Sequence, residues 1–321
     1  MEEIFSPSDL RRLGEAASIV WGRDPPMPFE AFREALPTAA AVVCGDWRYG
    51  EVGGADALRA IVSVSGAWPQ ELDYEQCFER GIRVLSAAPA FAPAVAEMAL
   101  ALALASSREI AAGDRAMRSG NEGWRHAGNT NSFLLFGRSV GFVGFGAIAR
   151  SLQRLLRPFD CAISAFDPWL TDGELRAAGV EPAGLDELLG RCDVIFVLAA
   201  PSAENAALLS RPALERIRSD AVLVLVSRAH LIDFDALTEL VLAGRFRVAI
   251  DVFPHEPLEP DHPIRTAPNA VLSAHKGGSV PEALLEIGRM VVDDLEALLR
   301  GLPPRRLQRA EPELVARRRL G

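Results

Sequence analysis

The sequence predicts an α/β protein of two domains, the second built on a doubly wound parallel sheet. Three observations carry this. Short β-branched runs alternate with helical segments along most of the chain. A glycine-rich turn, "VGFVGFGAIARSL" from Val140 to Leu152, joins one of those runs to a helix. The 321 residues, 49% hydrophobic and 24% charged, suit a soluble two-domain protein with a full core.

Taken in order, the start "MEEIFSPSDLRRLGEAASIVWG" is acidic and capped like a helix, without the basic and apolar regions of a secretion signal. From Ala39 the runs "AAVVC", "RAIVSVS" and "IRVLS" predict a small parallel α/β unit. A long helix follows, near Pro93 to Ile110. Its apolar run "APAVAEMALALALASS" is interrupted by Glu97 and falls short of the ~20 residues that span a bilayer, so a buried helix, no membrane partner and a cytoplasmic location are expected. The Gly-, Asn- and Ser-rich "RSGNEGWRHAGNTNSF" reads as a linker. Beyond it, "SVGFVG", "CAISAF", "DVIFVLAA", "AVLVLVS", "FRVAIDV" and "NAVLSA" give six strands in series, the pattern of a doubly wound sheet. "PEALLEIGRMVVDDLEALLRGLPP" predicts a helix returning toward the first domain. The expected division is 1–110 plus 281–321 for one domain and 111–280 for the other. The basic clusters in "PPRRLQRA" and "ARRRLG" stand beside Glu311 and Glu313 and read as a solvated tail.

A net charge of -9 and a pI near 5.2 argue against a surface that tracks phosphates, so nucleic acid is not an expected partner. Cys44, Cys77, Cys161 and Cys192 are far apart and form no CxxC pair, which predicts no metal site and thiols kept in a reducing compartment.

The glycine turn gains its meaning from its surroundings. Gly144 ends an apolar strand, Gly146 opens a helix, and Ala149 takes the third position, which needs only a small side chain for helix–strand packing. The next strand ends on Asp167, 21 residues after Gly146, near the spacing of a ribose-binding acid. Gly144 permits the tight turn. Gly146 lets the backbone approach a pyrophosphate, and the amides opening the helix offer it partial positive charge. A carboxylate at Asp167 would accept from ribose hydroxyls and repel a 2′-phosphate, which predicts NAD rather than NADP.

Ligands of open parallel sheets bind beyond the carboxyl ends of the strands. Arg228, Asp251 and His275 fall at such ends, and Glu256 in the loop after Asp251. An arginine clamps a carboxylate with two bonds, and a histidine moves a proton near neutral pH. A glutamate bonded to that histidine would orient it and favour its charged form. These are the parts needed for hydride transfer between a nicotinamide and a 2-hydroxy acid.

The stretches "VGFVGFGAIARSLQRLLRPFDCAISAFDPW", "VLVSRAHLIDFDAL", "AIDVFPHEPL" and "NAVLSAHKGG" resemble the D-isomer-specific 2-hydroxyacid dehydrogenase family, and the resemblance extends over nearly the whole chain. It implies two Rossmann-like or flavodoxin-like domains, with the NAD-binding domain inserted into the substrate domain, and a homodimer. It makes Arg228 the carboxylate-binding arginine, His275 the acid/base and Glu256 its partner. It places Ala147, Ile148 and Asp167 at the pyrophosphate and ribose, Val226 and Ser227 among the cofactor contacts, and Asp251 on the nicotinamide carboxamide side. Ser65, Gly66 and Ala67, in "VSGAWPQELD", become the equivalents of a loop whose amides receive the substrate carboxylate. The small-molecule partner implied is a 2-hydroxy or 2-oxo acid.

This chain departs from the family pattern in four places. Ala229 follows Arg228 where glycine is usual, Ala274 and Lys276 flank His275 where proline and isoleucine are usual, the first-domain loop reads "VSGAWPQELD" where Gly-x-Gly-x-Asp is usual, and no opening strand precedes "FSPSDLRRL", through either a truncated start or a lost edge strand. Lys276 beside the base would oppose its charged form. Trp47, Arg48 and Trp68 stand in first-domain loops, where the two tryptophans serve either packing or substrate contact. A non-catalytic NAD-sensing protein of the corepressor kind would keep much of the same site and act through partner surfaces. A methyltransferase using the glycine turn would leave Arg228 and His275 without a task.

Overall fold

The computed structural model describes residues 3–23, 25–69, 71–129 and 131–318. The chain divides into two compact units, Met1–Ala92 with Ser279–Gly321, and Pro93–Gly278. The second is therefore inserted into the first. The divisions fall at 92/93 and 278/279, where the sequence suggested 110/111 and 280/281. The stretch from Arg118 to Phe133, read as a linker, belongs to the second unit. The Phe133 ring there lies under the guanidinium carbons of Arg138 and Arg247 at 5.0 and 4.9 Å, an anchoring that composition does not reveal.

The first unit opens with α1 (Pro7–Ala16), which starts at a proline preceded by Ser6, whose hydroxyl accepts the Asp9 N–H at 3.1 Å. Next come α2 (Phe29–Ala35), β1 (Ala41–Cys44), β2 (Ala60–Ser63), α3 (Tyr74–Glu79) and β3 (Arg83–Ser86). The three strands are parallel, with Ala60 opposite both Ala41 and Arg83. Trp47 and Trp68 are packed into this unit at 1% and 7% exposure, and their indole N–H groups donate to Gly50 O and Gln308 O. Both are core residues, which answers for the two tryptophans the choice between packing and contact.

Helix α4 (Ala88–Ser107) crosses the division, and at 20 residues it exceeds the length read from the sequence. It is the one helix among the described residues long and apolar enough to cross a bilayer. Buried Ala92, Val95, Ala96, Ala99, Leu102, Ala103, Ser106 and Ser107 recur at the three- and four-residue spacing of one face, and Ala90 is buried as well near the start of the helix.

The rest of the second unit comprises α5 (Ile110–Ser119), β4 (Ser139–Val143), α6 (Ala147–Leu156), β5 (Ala162–Phe166), α7 (Asp172–Ala177), β6 (Glu181–Pro182), α8 (Leu185–Arg191), β7 (Val194–Val197), α9 (Arg211–Leu214), β8 (Val222–Leu225), α10 (Phe234–Leu242), β9 (Arg247–Ile250) and β10 (Ala270–Leu272). Its seven strands pair in the order β10-β9-β8-β7-β4-β5-β6, all parallel. β7 and β8 are buried at every position, as in a sheet covered on both faces. The chain order reverses between β4 and β7, the switch point at which such sheets open a crevice.

The chain returns to the first unit through α11 (Pro281–Leu299), β11 (Gln308–Arg309) and α12 (Pro312–Arg318). β11 adds antiparallel to β3. Asp294, 2% exposed, accepts the N–H groups of Arg305, Arg306 and Leu307, and Arg306 pairs with Asp293 and Glu286. The basic segment read as a solvated tail is thus held against α11 by a buried carboxylate. Arg319, Leu320 and Gly321 lie outside the described residues.

Candidate active site

The residues predicted at strand ends of the second unit all lie at the carboxyl edge of the seven-stranded sheet. Gly144 and Gly146 follow β4, Asp167 follows β5, Val226 to Arg228 follow β8, Asp251 follows β9 and His275 follows β10.

Gly144 has φ of 94°, and a Cβ there would lie 2.5 Å from the backbone N and Cα of Ala199, just past β7. Only glycine allows the turn and the neighbouring strand end to come this close. Gly146 has an ordinary φ of -83°, and open space where its Cβ would stand. No side chain caps α6, so the first amides of the helix, at Ala147 and Ile148, are left to that space. Ala149 is 1% exposed, packed as the third fingerprint position requires. The Asp167 carboxylate accepts the Phe145 N–H at 2.7 Å and the Trp169 N–H at 2.9 Å, which fastens the second strand's acid to the glycine turn itself.

His275 sits at φ 50°, a left-handed backbone that non-glycine residues rarely adopt. Asp251 enforces it from below. At 1% exposure, its backbone carbonyl accepts the His275 N–H at 2.7 Å, and its two carboxylate oxygens accept the N–H groups of Lys276 and Gly277 at 2.9 Å each. A Cβ on Gly277 would fall 2.9 Å from Asp251 Oδ2, so glycine is needed there too. Asp251, which the resemblance puts beside the nicotinamide carboxamide, is also a buried brace for the histidine turn, its two carboxylate oxygens accepting from the turn's amides.

The imidazole Nδ1 of His275 lies 2.6 Å from Glu256 Oε2, and Glu256 Oε1 accepts the Phe253 N–H at 3.0 Å. Burial pushes the Glu256 carboxyl up, but the His275 hydrogen bond, the Phe253 amide and the charges of His275 and Arg228 together hold it below the ordinary carboxylate range. An ionised carboxylate only accepts, so Nδ1 carries the hydrogen and Nε2 is left for chemistry. The ring is 42% exposed, open to a substrate. Arg228 is exposed, has no ion pair among the described residues, and donates only from Nη1 to Ser227 O at 2.7 Å. Ser227 itself is 6% exposed with its hydroxyl unpartnered, and Val226 is buried. Lys276 is exposed.

The glycine cradle against Ala199, the uncapped start of α6 and the orphaned Ser227 hydroxyl together fit a dinucleotide. Sequence reasoning missed the supporting atoms: Ala199, the amides of Phe145, Trp169 and Phe253, and Gly277. The small residues of "VLAAPS" and the Gly277 of "HKGG" were the only signals of them. Ser65, Gly66 and Ala67 belong to the first unit, in the loop after β2. Gly66 has φ of 81°, a Cβ there would meet the Phe91 ring at 3.0 Å, and Ser65 and Ala67 are exposed. Among the described residues no group of three or more His, Cys, Asp or Glu is placed to hold a metal ion.

Residues 100–277 match the family model described as "D-isomer specific 2-hydroxyacid dehydrogenase, NAD binding domain". The chain is 30% identical over 306 residues to D-3-phosphoglycerate dehydrogenase of Mycobacterium tuberculosis (strain ATCC 25618 / H37Rv), covering 92% of this chain and 56% of that protein. It thus spans little more than half the length of such relatives. It is 29% identical over 255 residues to the glyoxylate reductase of Korarchaeum cryptofilum (strain OPF8), covering 78% of this chain and 76% of that one. Among solved structures, a phosphoglycerate oxidoreductase from Rhizobium etli is similar with a TM-score of 0.85 and 36% identity, covering 97% of this chain and 95% of the other. The matched domain, its NAD cofactor and the two-domain architecture carry one conclusion: the chain belongs to the D-isomer specific 2-hydroxyacid dehydrogenase family.

Proposed function

We propose that the chain is an NAD-dependent D-2-hydroxyacid dehydrogenase that interconverts a small 2-hydroxy acid and its 2-oxo acid. The observation that carries this reading is the 2.6 Å His275–Glu256 pair, on the same sheet edge as the glycine turn and an arginine without a carboxylate partner. Gly144, Gly146, Ala147, Ile148 and Asp167 hold the pyrophosphate and adenosine ribose, with Val226 and Ser227 further along the cofactor. Bound NADH supplies the hydride. Arg228 takes the substrate carboxylate through paired N–H groups. The exposed loop at Ser65, Gly66 and Ala67 adds backbone amides, which makes the first unit the substrate domain and the second the NAD domain. In reduction, His275 Nε2–H donates its proton to the carbonyl oxygen, and Glu256 holds the resulting imidazole through Nδ1–H. Asp251 keeps the His275 turn in place throughout.

The polypeptide works as a homodimer. Support comes from exposed apolar side chains gathered in one segment of the second unit: Ile110, Met117, Trp124, Leu134 and Phe136 are 55–69% exposed. Sedimentation or light scattering should give twice the chain mass, and a monomer at micromolar concentration would refute it. A cytoplasmic location agrees with four unpaired thiols, of which burial pushes Cys44 up to about 12 and Cys77 and Cys192 up to about 11. The enzymatic reading is tested by following NADH oxidation across a panel of 2-oxo acids, including glyoxylate and a phosphorylated three-carbon acid. Turnover of at least one is expected. NADH binding without turnover of any would favour a nucleotide-sensing protein instead.

A further inference from the structure

The parallel strands of the first unit have a carboxyl edge of their own, the edge at which open sheets of this kind receive ligands. The loop after β2 holds Ser65, Gly66 and Ala67, and the chain after β3 enters α4, whose first turn carries Phe91. β2 and β3 are paired neighbours, so their ends stand ~4.8 Å apart.

The two segments touch. Gly66 has φ of 81°, and the Cε2 and Cδ2 atoms of the Phe91 ring lie 3.0 and 3.2 Å from where a Cβ on Gly66 would stand. The ring thus rests on bare backbone, which glycine alone leaves open. Phe91 also packs on the core formed with Phe5, Ile287 and Leu295, yet it is only half-buried, so part of the ring stays accessible. The loop beside it has donors to spare. The Ser65 N–H turns to Ser63 Oγ at 3.4 Å, whereas the N–H groups of Gly66 and Ala67 have no acceptor among the described residues. Successive free amides in a turn receive an anion. A Cβ stands ~2.5 Å from its own amide nitrogen, which puts the ring edge within about 5.5 Å of the Gly66 nitrogen. A carboxylate held on these amides therefore presents its next carbons to an aromatic surface. An apolar group gains by burial there, and a charged one loses hydration without finding a partner on the ring. Arg48, exposed and without an ion pair among the described residues, follows β1 and would favour a rival, an acid with a second anionic group. The end of β1 is two strands, or ~10 Å, from the end that carries Phe91, so the ring is the group seated on the loop.

We propose that the substrate is a 2-oxo acid with an apolar body, branched or aromatic, which lies against Phe91 while its carboxylate meets the Gly66 and Ala67 amides. This rests on the dehydrogenase reading, and the assay keeps the two apart. NADH oxidation is followed with phenylpyruvate, the leucine-derived 2-oxo acid, glyoxylate, 2-oxoglutarate and a phosphorylated three-carbon 2-oxo acid. The first two should exceed the other three in kcat/KM by at least about tenfold, the worth of a few buried carbons. Phe91→Ala should lower kcat/KM for phenylpyruvate about 10–100-fold, chiefly through KM. It should leave glyoxylate, which has no third carbon to reach the ring, within about threefold, and the NADH Kd unchanged. Phe91→Leu keeps an apolar side chain in the core and should retain the leucine-derived acid within about fivefold, which covers the case of an alanine variant that does not fold. Glyoxylate, 2-oxoglutarate or the phosphorylated acid turned over as well as the apolar acids would overturn the inference and leave the dehydrogenase reading standing. An equal loss for phenylpyruvate and glyoxylate in Phe91→Ala would do the same, as the mark of a structural role alone. No turnover of any acid by a chain that binds NADH would fail the dehydrogenase reading, and the inference with it.

Discussion

Replacing Gly144 by alanine separates the two jobs of the glycine turn. At φ 94° an L-residue pays for a left-handed backbone, roughly 1–2 kcal/mol. The new Cβ also stands 2.5 Å from the Ala199 N and Cα, atoms that cannot rotate away, and such overpacking costs roughly 1–3 kcal/mol more. Together Gly144→Ala should destabilise the second unit by about 2–5 kcal/mol, or roughly 4–20 °C in Tm for a domain of this size. Gly146→Ala is the control, because its φ suits any residue and its Cβ enters open space. That variant should melt within about 2 °C of the parent and yet bind NADH at least about tenfold more weakly, since the methyl group occupies the approach to the α6 amides. Thermal unfolding and fluorescence titration with NADH read both effects. A Gly144→Ala protein as stable as the parent, or a Gly146→Ala protein with parental NADH affinity, would refute the reasoning.

Three further outcomes are expected. The parent should favour NADH over NADPH in kcat/KM, and Asp167→Ala should narrow that preference, because the carboxylate fastened to the turn opposes a 2′-phosphate; equal use of both cofactors by the parent would show the residue to be misassigned. Arg228→Lys should not restore the substrate affinity lost in Arg228→Ala, since an ammonium lacks the paired fork, whereas the Kd for NADH should hold in both; parental turnover in either would make Arg228 a surface residue. Glu256 is held below the ordinary carboxylate range, so the stability it contributes is present above its unfolded pKa and lost as pH falls through its lower folded value. The stability difference between the parent and Glu256→Gln should shrink as pH falls below about 4, measured by urea unfolding from about pH 5 to about pH 2.5; a difference that stays constant over that range would reverse the assignment.

Much of this fold can be read directly in the residues. Six of the seven strands of the second unit announce themselves because a parallel sheet buried on both faces writes near-continuous apolar runs, as "VIFV" and "VLVL" do. β6 is two residues long and lies at the sheet edge, too short to leave a pattern. β11 escaped because its basic neighbourhood suggested solvent, and the feature that orders it is a single buried carboxylate, Asp294, many residues away. Linker composition misled between Arg118 and Phe133 for the same reason: what anchors the segment is Arg247, more than a hundred residues further on. At the site, the side chains that face solvent at strand ends were legible as polar residues in apolar surroundings. Asp251 was legible as a polar strand-end residue, but its hold on the histidine turn was not, because hydrogen bonds to amides have no sequence signature.

The most direct test of the account concerns His275. A positioned general acid contributes roughly 10²–10⁴-fold. With whichever 2-oxo acid the parent reduces, His275→Ala should therefore lower single-turnover NADH oxidation by about that factor and leave the NADH Kd within about twofold of the parent. Undiminished turnover in His275→Ala would contradict the proposed proton transfer, and with it the reading of the strand-end cluster as an active site.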